Sequence, residues 1–176
     1  MSNIRKVVVV PWDENWPISF VAEAGQISRA LSMDSAVFHH IGSTSIVGMS
    51  AKPTIDILAV VPDIEEIVAC SAIFERLGYT PMGEYGLPGR RFFLKDTDGV
   101  RSHHLHIYQQ GNADIHRHLA FRDFLRAHPK DALAYSELKR KLAKVHQQDM
   151  AAYIDGKHAF IQALEKRALR WAASAG

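Results

Sequence analysis

The chain contains one cysteine, Cys70, so no intrachain disulfide can staple it and its stability has to come from a packed core. The surrounding "IVACSAIF" carries helical apolar spacing, which marks the thiol as a structural group. No apolar run approaches the roughly 20 residues that span a bilayer. The opening "MSNIRKVVVVPW" turns polar too early for a signal peptide, and a cytoplasmic location is expected. Low-complexity tracts and blocks of like charge are missing, which argues against disorder. Walker-type kinase chemistry is excluded as well: Met49 follows Gly48 and Pro53 follows Lys52, so no Gly-Lys-Ser/Thr sequence closes the loop. The chain also lacks RNP motifs, paired zinc ligands and a clear helix-turn-helix, so neither nucleic acid nor a membrane is an expected partner.

What is present is the composition of a folded protein, with 176 residues, 47% apolar and 23% charged, and one domain covering 1–176 is expected. The formal net charge of +2 conceals an asymmetry. Residues 117–170 hold 12 of the 21 Lys and Arg but only 6 of the 19 Asp and Glu. A basic C-terminal third suits an anionic ligand such as a nucleotide, although solvated helix faces carry the same residues.

The pattern divides near residue 110. Before it, "KVVVVP" reads as a short strand, and Pro17 stands in the first turn of a helix over "NWPISFVAEAGQISRALS". "AVFHHI" and "TIDILAVV" read as two strands of a hairpin. Asp63 and Glu66 form a capping-box-like start to a continuous helix over "DIEEIVACSAIFERLG", stopped at Gly78. "RRFFLKD", the turn "DTDG" and "VRSHHLHIY" form a second hairpin. Beyond Asn112, three amphipathic segments around "DIHRHLAFRDFLRAH", "KDALAYSELKRKLAKVHQ" and "HAFIQALEKRALRWAA" predict a helical bundle. The fold class is therefore α+β: a small mixed sheet with flanking helices over 1–110, followed by helices over 111–176.

The candidate chemistry lies in "HIGSTSIVGMSAKPTIDI", residues 40–57. A Gly-Ser turn after a strand lets backbone amides and a hydroxyl approach a phosphate, which makes Gly42, Ser43 and Thr44 phosphate candidates. Strand alternation puts Asp56 on the face opposite Ile55 and Ile57, among apolar neighbours, where a carboxylate needs a partner. Lys52 lies close enough to neutralise phosphate charge. Arg90 and Arg91 are adjacent in a strand and face opposite sides, and Arg91 is taken as the one lining the site. In the tail, Arg122 follows His118 by one turn and is a further phosphate candidate. Tyr135 with Lys139, and Tyr153 with Lys157, repeat an i, i+4 spacing in which a ring lies beside an ammonium that reaches a phosphate or a base.

"HIGSTSIVGMSAKPTIDI" resembles the signature of the GrpB family, within the nucleotidyltransferase superfamily of the polymerase-β type. The likeness continues through Gly78-Tyr79, "RRFF" at 90–93, "HLHIY" at 104–108, "FRDFLR" at 121–126, "YSELK" at 135–139 and "YIDGK" at 153–157. It implies a small mixed sheet in which Gly42-Ser43 opens a helical turn around a nucleoside triphosphate, and strand carboxylates hold divalent metal for nucleotidyl transfer. Two-metal sites of that kind use an Asp-x-Asp pair and a third acid from a neighbouring strand. Here only Asp56 stands in the pair, flanked by Thr54 and Leu58, and His106 stands where the third acid would, with His104 on the same face. One Asp with two imidazoles favours Mn²⁺ or Zn²⁺ over Mg²⁺, and a neutral imidazole can also act as a general base.

The expectation is a nucleotidyltransferase that uses Asp56 and His106, with His104 as an added metal ligand, on a nucleotide or other phosphorylated small molecule and an unknown acceptor. Its rival is a catalytically reduced ligand-binding module. Domains resembling this family occur fused to dephospho-CoA kinase, which implies a CoA-related role for such a module.

Overall fold

The computed structural model describes residues 6–174. Val37–Ile41 (β1) and Ile55–Val61 (β2) pair antiparallel, with Ile41 opposite Asp56. Arg90–Thr97 (β4) and Val100–Gln109 (β5) form the second hairpin, turning through Asp98 and Gly99 with positive φ at both residues. β5 docks parallel to β2, and Tyr79–Pro81 (β3) adds an outer strand, giving the order β1-β2-β5-β4-β3. Both hairpins and the mixed α+β class agree with the sequence pattern.

One sheet face packs on Asn15–Leu31 (α1) and on the short helices Ile64–Ala69 (α2) and Ser71–Arg76 (α3). Ile57, Leu105 and Ile107 from the strands and Ile27, Ile67 and Phe74 from the helices are all 0% exposed in this layer. Removing each such side chain from water contributes about 1.5–3 kcal/mol, which makes this layer the main stabilising contact. The opposite face carries Leu58 and Tyr108, packed with Ile41 and the partly buried Ile115 and Leu119 of Ala113–Ala127 (α4). Pro129–Val145 (α5) and Met150–Ser174 (α6) complete the structure, with Phe124, Leu125, Tyr135 and Leu164 in a second core. Asn112 caps α4 by accepting from the Asp114 amide, and Pro129 opens α5 where a missing N–H is harmless. Among the described residues, no helix is long and apolar enough to cross a membrane.

Four segments differ from expectation. "KVVVVP" is not a sheet strand: only Val10 bridges, to Ala51, while the Val7 amide donates to the Gln147 carbonyl and the Val7 side chain packs on Ala143 and Tyr153. The segment therefore runs along the α5–α6 corner. The helix expected over 63–78 is broken at Cys70 (ψ 10°), and Asp63 caps its start by accepting from the Glu65 amide, without the reciprocal Glu66 bond of a capping box. β3 was not anticipated, because three residues ending in Pro81 carry too little pattern. α6 begins at Met150 and runs straight through Gly156.

Candidate functional site

Gly42 and Asp56 are in intimate contact. Gly42 adopts φ 71° and ψ −176°, a backbone conformation that L side chains rarely take. A Cβ placed there would clash with Asp56 Oδ2, so only glycine lets the turn approach the carboxylate. The following turn, Ser43–Ser45, is a single 3-10 turn, in which the Ser45 amide and hydroxyl both donate to the Gly42 carbonyl at 3.2 and 2.6 Å. Ser43 meets the Tyr135 hydroxyl of α5.

Parallel pairing of β2 and β5 puts Asp56 opposite His104 and Leu58 opposite His106. Asp56 Oδ1 lies 2.9 Å from His104 Nδ1 and 3.9 Å from His106 Nε2. One donor atom from each of the three residues falls within 4.8 Å of the others. Burial pushes the Asp56 carboxyl upward, but hydrogen bonds from His104 and His106 outweigh it and hold the group below the usual carboxylate range. Burial lowers His106, against the pull of Asp56, which favours a neutral imidazole able to act as a ligand. Arg90 Nη1 lies 3.4 Å from His106 Nδ1. A carboxylate and two imidazoles this close fit a single ion of Mn²⁺ or Zn²⁺ character. They do not fit a two-Mg²⁺ centre: Leu58 is fully buried, and the Thr54 hydroxyl donates to the Arg101 carbonyl.

The helices add cations. Lys139 of α5 is 2% exposed, and its Nζ has no hydrogen-bond partner and lies 4.5 Å from the Tyr135 ring centroid. Lys157 Nζ of α6 lies 4.4 Å from the Tyr153 ring centroid. Lys52 Nζ lies 5.8 Å from the Tyr153 centroid and 3.7 Å from Met150 Sδ. Burial, then the nearby Lys157, pushes Lys139 down to about 7, with Asp56 pulling the other way. Burial and Lys52 push Lys157 down to about 8. Burial raises both phenols, with Tyr153 pushed up to about 12. A phosphate bound beside Lys139 and Lys157 would restore their full charge.

Asp56, His104, His106, Gly42 and Ser43 therefore gather with Tyr135, Lys139, Tyr153, Lys157 and Lys52. Three other candidates are occupied elsewhere. Arg91 lies across from Ile107 on the other sheet face, 3.5 Å from Glu65 and 3.8 Å from Glu84; Arg90 takes the facing position instead. Thr44 is 1% exposed with its hydroxyl 2.9 Å from His40 Nε2, so it braces the turn from behind. Arg122 pairs with Asp123 and donates to the His40 carbonyl, tying α4 to β1. Phe92 and Tyr85 were missed by sequence reasoning. The Phe92 ring lies tilted against His106 with centroids 4.8 Å apart, and its position two residues from Arg90 on one strand face is the signal that could have found it.

The GrpB protein family profile matches residues 6–167. The Bacillus subtilis protein YqkA is 44% identical over 95% of this chain, which spans about half (48%) of that relative's length. The glutamate-rich protein GrpB of Alkalihalophilus pseudofirmus is 30% identical, over 90% of this chain and 94% of its own. The crystal structure of the conserved protein GrpB from Enterococcus faecalis superposes with a TM-score of 0.88 at 41% identity, covering 93% of this chain and 98% of that one. Cid1 in complex with its short product ApU gives a TM-score of 0.52 at 12% identity, over 77% of this chain and 43% of that one, a likeness of fold. The chain belongs to the GrpB family and has a nucleotidyltransferase-like fold.

Proposed function

We propose that the protein binds a nucleotide or related phosphorylated molecule and transfers a nucleotidyl group, with one divalent ion held by Asp56, His104 and His106. The observation that carries this reading is the convergence of that donor set with the buried, unpartnered ammonium of Lys139 on a nucleotidyltransferase-like fold. Carboxylate and imidazoles together supply a cation site, and the lysines supply positive charge for an anion.

The residues divide the work. Lys139 and Lys157 neutralise the terminal phosphates, and the rings of Tyr135 and Tyr153 hold the two ammonium groups in place. The Ser43 hydroxyl donates to a phosphate oxygen at the turn, which Gly42 brings against Asp56. Asp56 orients His104 through the Nδ1 contact. Bound there, the ion would act as a Lewis acid on a phosphoryl oxygen.

Purified protein incubated with each α-labelled nucleoside triphosphate, Mn²⁺ or Zn²⁺ and a cell extract should label an acceptor and release pyrophosphate. Asp56→Asn should reduce labelling at least 100-fold and abolish calorimetric Mn²⁺ binding. Unchanged labelling in that variant would sink the proposal. A second reading, binding without transfer, is favoured by Thr54 and Leu58 standing where a second acid would. Nucleotide binding that is lost in Lys139→Gln, with no labelled acceptor under any condition, would select it.

A further inference from the structure

A cleft of about 700 Å³ opens beside His104, between the β4–β5 hairpin and the start of α6. Its size is that of a small-molecule site. Lys52, Thr54 and His104 line it, whereas Ser43, Tyr135, Lys139 and Lys157 do not. It therefore meets the site described above at Lys52 and His104, and the Lys139 and Lys157 side chains do not line it. Phe92, Leu94, Val100 and Ile154 form apolar walls, and Lys6, Lys52 and Arg101, the last paired with Asp96, face the single lining carboxylate, Asp98.

One wall is rigidly built. Tyr85, 62% exposed, holds φ 47°, a conformation that costs a residue with a Cβ about 1–2 kcal/mol. Arg90 offsets that strain by donating to the Glu84 and Tyr85 carbonyls at 3.1 and 2.7 Å. The Tyr85 ring stacks on Phe92 with centroids 5.4 Å apart, and the Arg90 guanidinium lies 4.5 Å from the same Phe92 ring. The result is an aromatic shelf leading to His104, itself 5.6 Å from Phe92.

Displacement at an α-phosphorus is in line, so the nucleophile enters opposite the departing pyrophosphate. With the terminal phosphates on the lysines, the nucleophile's side is this cleft. We infer that the cleft is the acceptor pocket and takes a small molecule with an aromatic or apolar body and one anionic group; this rests on the transferase reading. The acceptor's hydroxyl or amine forms a bond to the α-phosphorus, the bond from that phosphorus to the bridging oxygen breaks, pyrophosphate leaves with the electron pair, and the nucleophile's proton passes to solvent.

The probe is 8-anilinonaphthalene-1-sulfonate, an aromatic body with one anionic group, titrated by fluorescence into the full chain without nucleotide. Saturable one-to-one binding is expected, weakened at least fivefold by Ile154→Trp and by Lys6→Glu, with uncharged N-phenyl-1-naphthylamine binding at least tenfold more weakly. Mn²⁺-ATP binding, measured separately, should be unchanged in Ile154→Trp but lost in Lys139→Gln. Val100→Trp carries the same readout if Ile154→Trp fails to fold. Probe binding that is absent, unaffected by both tryptophan variants, or displaced by a short single-stranded RNA would overturn the assignment. So would loss of ATP binding in the cleft variants, since the cleft would then belong to the nucleotide itself. Failure of ATP binding in the wild type with probe binding intact would instead count against the transferase reading.

Discussion

At the scale of single residues, Lys139 sets stability against function. Its ammonium is buried without a hydrogen-bond partner, an arrangement that costs a folded protein about 1–3 kcal/mol. Lys139→Met should raise stability by about that amount in urea unfolding while abolishing ATP binding. The sign with pH follows from its lowered pKa. Between about 7 in the folded state and the ordinary lysine value of 10.5 in the unfolded chain, the unfolded state binds more protons. Wild-type stability should therefore climb from pH 7 to about 9.5, before tyrosine ionisation opposes it, and Lys139→Met should flatten that climb. Gly42 makes the opposite point, because here contact geometry matters more than charge. Gly42→Ala forces Cβ into Asp56 Oδ2 and strains a positive φ, and should cost about 1–3 kcal/mol together with complete loss of Mn²⁺ binding by calorimetry.

At the scale of elements, a β-bulge decides which arginine faces His106. Near the turn, Thr97 pairs with Val100 and Asp96 with Arg101, but beyond a register shift at Lys95/Asp96, Lys95 pairs with His103 and Phe92 with His106. Without the shift Arg91 would stand opposite His106, and with it Arg91 stands opposite Ile107. Alternation within "RRFF" shows that the two arginines diverge, but not which one faces inward, since that depends on an extra residue in the partner strand. Arg90→Ala should therefore weaken Mn²⁺ affinity and the probe binding at least fivefold. Arg91→Ala should change neither and cost no more than about 1 kcal/mol, as expected for ion pairs open to solvent. Period-two spacing was enough to put His104 and His106 on one face of β5 and Asp56 opposite Ile55 and Ile57 on β2, whereas their meeting was implied by the family resemblance and rests on the parallel β2–β5 pairing. The break at Cys70 and the loss of "KVVVVP" to the helices were not, because tertiary packing overrides local propensity there.

At the scale of the molecule, the basic C-terminal third supplies the lysines and the acidic N-terminal part supplies the carboxylate, so charge asymmetry along the chain becomes charge complementarity across one site. Acid sensitivity is spread more widely. Burial lowers His40 to about 4 and His118 to about 3, and His39, His103 and His106 shift the same way. Below pH 6.5 the unfolded chain takes up protons that the folded one refuses, so stability falls as pH drops, by up to about 1.4 kcal/mol per pH unit for each group. The urea midpoint should fall steadily from pH 6.5 to 4, and His118→Asn should reduce that slope.

The seam between β2 and β5 is parallel, and it joins Asp56 to a histidine 48 residues later in the chain. During synthesis the first hairpin and its glycine turn emerge with a lone carboxylate, and the donor set closes only when β5 docks. If the proposed ion binds there, its capture reports the docking of β5: a stopped-flow refolding experiment with a Zn²⁺ indicator should show no ion uptake before that step, and at an ion concentration 100 times Kd the forms with β5 docked gain about 2.7 kcal/mol over those without it.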